Sequence, residues 1–198
     1  MQIQFQPIPT AVFLGVMVCW FVFAGIFLLR KKPPKAPERK RERAFILGIV
    51  LQGAAYAIVW SVRRPYFSPP FAMPESVEIV LGMATLALAV ASVWMIVSAV
   101  RTLGKQWSFA ARLLEEHKLI TEGPYALVRN PIYTGMLGML LATGLAVSHW
   151  VALPPALALF GLGTAFRVRS EEKLLREAFG AEFEAYTRRV PAVFPHLY

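Results

Sequence analysis

Residues 131–166 read PIYTGMLGMLLATGLAVSHWVALPPALALFGLGTAF, 36 positions without one charged side chain. A helix crosses the bilayer core in about 20 residues, so this stretch is too long for one crossing. Its middle holds Ser148-His149-Trp150 and Pro154-Pro155, which interrupt the apolar run and mark a turn. The stretch predicts a tight hairpin of two short helices. Working outward from it, Ile79 to Val100 is 22 uncharged residues, Ala44 to Val62 is 19, and Ala11 to Leu29 is 19. Together they predict an all-α, polytopic membrane protein with five transmembrane helices, the last two forming the hairpin. The first span has no basic residues before it and a positive cluster after it, the pattern of a retained anchor and not of a cleaved signal peptide.

Composition agrees: 57% of residues are hydrophobic and 17% charged, against about 25% charged in ordinary soluble domains. The net charge of +9 does not predict nucleic-acid binding, because the basic residues flank apolar runs instead of lining a soluble face. Eight Lys and Arg lie in 30–43, two in 63–75, five in 101–129 and six in 167–189. Positively charged connections stay cytoplasmic. Five spans then place 19 basic residues inside and two outside, with the N-terminus outside and the C-terminus inside. The linker RKKPPKAPERKRER (30–43) reads as solvated chain or as a contact for anionic lipid. The loop RRPYFSPPFAMPE (63–75) is too proline-rich for a helix. Asp is absent and the three histidines are scattered, so no metal site is expected. A lone cysteine, Cys19, forms no disulfide within the chain.

Ser170 to Arg189 predicts an amphipathic helix along the membrane surface or capping the bundle, with Leu175, Phe179, Phe183 and Tyr186 on its apolar face. Gly135, Gly138 and Ala142 form a small-residue stripe suited to close helix packing. Pro131 drives Asn130 towards extended backbone and starts the fourth helix. Gly161 and Gly163 imitate a dinucleotide fingerprint but lack its third glycine and its strand.

Polar residues gather twice beside the hairpin, at 112–133 and at 167–172. A helical hairpin returns its ends to one membrane face, so the two clusters must meet. Arg129, Arg167 and Arg169 would suit an anion there, Glu171 and Glu172 a cation or hydroxyls, and Tyr125 and Tyr133 would form flat walls. Arginines at span ends also anchor helices to headgroups, and Gly-Pro-Tyr also makes a plain turn.

The segment HKLITEGPYALVRNPIYTG (117–135) followed by RVRSEEKLLREAFGAEFEAYTRRVP (167–191) resembles the isoprenylcysteine carboxyl methyltransferase family and its relatives among phospholipid methyltransferases. The likeness runs from Leu103 to Pro195, so 103–198 is expected to be a cofactor-binding region and 1–102 a three-span membrane region without that signature. The resemblance implies S-adenosylmethionine in a membrane-embedded pocket and a lipophilic acceptor, prenylated or a phospholipid headgroup, drawn from the bilayer and its lipids. It implies cofactor contacts at Arg112, His117, Lys118, Leu119, Ile120, Tyr125, Asn130, Pro131, Ile132, Tyr133 and Glu171, and a catalytic, substrate-facing role for Arg167. The family's histidine in Arg-His-Pro is Asn130 here, which keeps hydrogen bonding but carries no charge. Two other expectations compete: a membrane reductase using NADPH, since sterol and steroid reductases resemble this family in their C-terminal helices, and a non-catalytic lipid-binding or assembly module on the same scaffold.

Overall fold

The computed structural model describes residues 6–28, 43–65, 67–104 and 118–194. They fold into α1 (Pro7–Leu28), α2 (Arg43–Ser61), α3 (Glu75–Leu103), α4 (Pro131–Val147), α5 (Leu153–Phe179) and α6 (Ala181–Thr187). Among the described residues there is no strand, only one isolated bridge between Arg63 and Ser148. Four segments are long and apolar enough to cross a membrane: Pro7–Ile26, Ala44–Ser61, Glu75–Leu103 and Trp150–Phe179. The fourth helix, at 17 residues, is shorter. The molecule is a multi-pass helical membrane protein. Residues 30–42 of the basic linker, Arg112 and His117 lie outside the described residues.

Helix α4 is the central pillar. No residue from Pro131 to Ser148 is exposed, because α3, α2, α1 and α5 all pack against it. The small-residue stripe makes this possible on the α3 side. A Cβ on Gly135 would stand 2.7 Å from the Ser92 carbonyl oxygen, and one on Gly138 2.0 Å from the Ser92 hydroxyl. Val12, Val16, Ala89, Val93, Met139 and Ala142 fill the core between α1, α3 and α4. A second core joins α2, α4 and α5 through Ala55, Val59, Leu140, Ala156 and Phe160. Here too the backbones nearly touch, the Gly48 oxygen lying 2.7 Å from where a Gly163 Cβ would be.

The hairpin turns where its polar residues lie. Ser148 leaves α4, Trp150–Ala152 makes one 3-10 turn, and Pro154 and Pro155 open α5, where a missing N–H costs nothing. Arg64 closes the tip: its guanidinium donates to the carbonyls of Leu145, Ala146 and Ser148, each at 2.8 Å. Those are the unpaired acceptors at the end of α4.

Two expectations are corrected. The amphipathic stretch is not a separate surface helix: α5 runs unbroken through Arg167 to Phe179, Gly180 turns the chain with φ 48°, and α6 restarts at Ala181. The apolar face of that stretch folds on itself, with Phe183, Tyr186 and Val190 packing against Leu175, Phe179 and Leu119. Mutual burial removes those side chains from water without a membrane surface. At Asn130, φ −125° and ψ 60° stop short of the extended backbone expected before proline, since its peptide N–H is held by Ala192.

Candidate active site

The two polar clusters meet where α4 begins and α5 leaves the apolar core. Pro131 opens α4 directly after the loop, and a 3-10 turn at Gly123–Ala126 sets Tyr125 against the C-terminal end of α3. From α5, Glu172 reaches Arg129, whose Nε and Nη2 lie 3.0 and 2.9 Å from one carboxylate oxygen. One residue earlier, Glu171 accepts a hydrogen bond from the Tyr133 hydroxyl. A third partner is the C-terminal segment. Arg129 donates through Nη1 to the carbonyls of Thr187 and Val190, its N–H meets Pro191 at 2.8 Å, and the Asn130 side chain meets Ala192 at 3.0 Å.

Beside this lattice opens a cleft with about 450 Å³ of free space, its mouth included, lined by Lys118, Leu119, Ile120, Tyr125, Asn130 and Glu172 among others. Its walls are mostly apolar, with polar groups at a few points, as ligand sites of this size usually are. Tyr186 donates to the Tyr125 carbonyl at 2.6 Å and fixes that wall. Burial, reinforced by the Glu171 carboxylate and by Tyr186, pushes the Tyr125 hydroxyl well above its ordinary pKa, so it keeps its proton and can donate a hydrogen bond.

Arg167 is enclosed between α2, α4 and α5, its side chain 14% exposed. The Phe45 and Tyr133 rings lie over its guanidinium, at 4.9 and 4.7 Å. Nη1 donates to Gln52 Oε1 at 2.9 Å, and Nη2 is 3.9 Å from Glu171. Its Nε is buried without an acceptor. Tyr133 and Glu171 thus adjoin Arg167, while the Glu171 charge also acts on Tyr125 of the cleft wall.

Of the positions singled out from sequence, Lys118, Leu119, Ile120, Tyr125 and Asn130 line the cleft. Pro131 and Ile132 belong to the first turn of α4, and Tyr133 and Glu171 pair with each other beside Arg167, outside the cleft lining. The anion pocket of three arginines does not assemble: Arg129 spends its donors on Glu172 and two carbonyls, and Arg169 is exposed. Sequence reading missed Phe45 and Gln52, which look like any residues of an apolar span until α5 is laid against them. Among the described residues no three His, Cys or Glu side chains converge.

The fold and the paired clusters define a helical membrane protein with a polar cleft at one end of a buried hairpin. The model of the phospholipid methyltransferase family matches residues 77–182, which contain the whole hairpin and both clusters. This chain belongs to that family. It is 38% identical to the cobalt-zinc-cadmium resistance protein CzcN of Cupriavidus metallidurans, over 48% of this chain and 44% of that protein. It is 34% identical to the nickel-cobalt-cadmium resistance protein NccN of Alcaligenes xylosoxydans xylosoxydans, over 57% and 53%, and 29% identical to protein-S-isoprenylcysteine O-methyltransferase B of Arabidopsis thaliana, over 50% and 52%. The chain spans about half the length of these relatives.

Proposed function

We propose that this chain is an integral membrane methyltransferase that uses S-adenosylmethionine to esterify the carboxylate of an apolar acceptor taken from the bilayer. In this reading α4 is a fifth, short crossing, the N-terminus is outside, and the cleft faces the cytoplasm with the 19 basic residues counted above. The observation that carries it is the junction at the hairpin's open end, where the hydrogen-bonded pair Tyr133 and Glu171 lies beside the enclosed Arg167 and near Tyr125 of the polar cleft.

The donor set fits such a cofactor, which is a zwitterion with a flat base. Lys118 offers a cation for its carboxylate, Asn130 an amide oxygen for its amine or hydroxyls, and Tyr125, Leu119 and Ile120 an apolar slot for its adenine. When bound, it supplies a methyl group on a positively charged sulfur, which remains as a neutral thioether once an acceptor oxygen has taken the methyl. The chain's own residues supply alignment and exclusion of water. Tyr133 and Glu171 hold Arg167 in register with the cleft, and Arg167 orients an acid against them. A carboxylate acceptor needs no base. An amine would, and the nearby carboxylates are engaged: Glu171 by Tyr133 and Arg167, Glu172 by Arg129 and Arg176. That favours transfer to oxygen, as in the name of the plant O-methyltransferase, over transfer to a phospholipid amine.

Isothermal titration of the detergent-solubilised protein tests the cofactor site. Binding of S-adenosylmethionine should weaken by about 1.5–3 kcal/mol in Glu171→Ala, the worth of a charged hydrogen bond, and NADPH should give no heat. Unchanged binding in that variant would count against the site. Incubation with methyl-labelled cofactor and membrane lipids should place the label on an alkali-labile ester, and a label on a stable amine would sink the acceptor class.

A further inference from the structure

The most informative polar residue outside the family match is Gln52, in the middle of α2 and 2% exposed. Its Nε2 donates to the Thr164 hydroxyl at 2.9 Å, and its Oε1 accepts from Arg167 Nη1 at 2.9 Å. Arginine has only donors, so the amide oxygen must face it, and Thr164 fixes that choice. With Nη1 pinned, the opposite edge of the guanidinium, Nε and Nη2, is the one left to act. It holds a buried Nε with no acceptor and a Glu171 oxygen too distant for a hydrogen bond. A buried charged donor left unsatisfied is costly, and a planar carboxylate matches such an edge with two parallel hydrogen bonds. The Phe45 ring lies over the guanidinium face, so an arriving acid has to approach in the plane, along that edge.

Resting on the function proposed above, we infer that Gln52 is a positioning residue which aims the Nε–Nη2 edge of Arg167 at the acceptor's carboxylate, so that selection of acids depends on α2, outside residues 77–182. The Gly48–Gly163 approach supports this role. A Cβ on Gly48 would stand 2.5 Å from Arg167 Cγ and 2.7 Å from the Gly163 oxygen, so α2 must come this close for Gln52 to reach.

The test uses the full chain in detergent with two probes, S-farnesylthioacetic acid and its primary amide, and the variants Gln52→Leu and Gln52→Glu. The wild type should bind the acid about tenfold more tightly than the amide without cofactor, the scale of one charged hydrogen bond. In Gln52→Leu the KM for the acid should rise about tenfold while kcat and the affinity for S-adenosylmethionine hold. In Gln52→Glu the preference for acid should disappear, because the new carboxylate neutralises Arg167. An unchanged acid-to-amide ratio in either variant overturns the inference, and so does a wild type indifferent to the two probes, whether or not the variants fold. A wild type that binds no S-adenosylmethionine overturns the proposed function instead, while the two probes still report on Gln52.

Discussion

Arg129 shows how a residue's partners decide its role. Its hydrogen bonds run to a buried carboxylate and to the carbonyls that end α6, so it staples the C-terminal segment to the hairpin instead of waiting for an anion. Arg129→Ala would leave Glu172 buried without its main partner, a loss of about 3–5 kcal/mol, to be read as a large fall in melting temperature. Arg129→Lys should recover only part of it, since a point charge cannot serve the carboxylate and the carbonyls in one plane. Tyr186 holds the same segment from the other side. Burial pushes its hydroxyl up to about 12, above the value near 10 of an unfolded tyrosine. The stability it contributes is therefore complete below pH of about 10 and lost as pH climbs through about 12. Limited proteolysis across that window should cut the C-terminal segment increasingly as pH rises, and Tyr186→Phe should weaken the pH dependence, the remainder belonging to Tyr125.

At the scale of elements, what was legible depended on whether the signal was local. The Gly135–Gly138–Ala142 stripe could be read because small side chains three and four apart face one way whatever they meet. Gly135→Ala meets the Ser92 backbone oxygen, which cannot step aside. It should destabilise by about 1–3 kcal/mol as overpacking does, whereas Gly161→Ala, with open space around it, should be neutral or better by denaturant melts. The hairpin and its turn were legible for the same reason, through an uncharged run with polar and proline interruptions. The end of α5 was not. Leu175, Phe179, Phe183 and Tyr186 keep the spacing of one continuous helix, and nothing in the string separates a glycine inside a helix from Gly180 at φ 48°. Phe45 and Gln52 were hidden for another reason: their meaning comes from Arg167, 115 positions beyond Gln52.

For the whole molecule, the Lys and Arg counts assign each loop a side of the membrane, and this assignment is the one to test. Single-cysteine labelling checks it. With Cys19 replaced by Ala, an impermeant maleimide added to sealed vesicles of right-side-out orientation should modify Ser68→Cys and spare Glu177→Cys. The reverse pattern would turn the cleft to the outer face. The protected centre of the bundle adds a consequence of its own. At 17 residues, α4 is about 26 Å long, while the 29 residues of α3 reach about 44 Å. Neighbours shield α4 from lipid, so it has no need to match the bilayer's thickness. Gly135 lies beside Ile96 while α3 runs on to Leu103, so the first turn of α4, with Tyr133, sits about one turn below the end of α3. Reactive groups set back in this way can be approached by a soluble molecule from above and by a greasy chain through the wall, without water being drawn into the lipid around them.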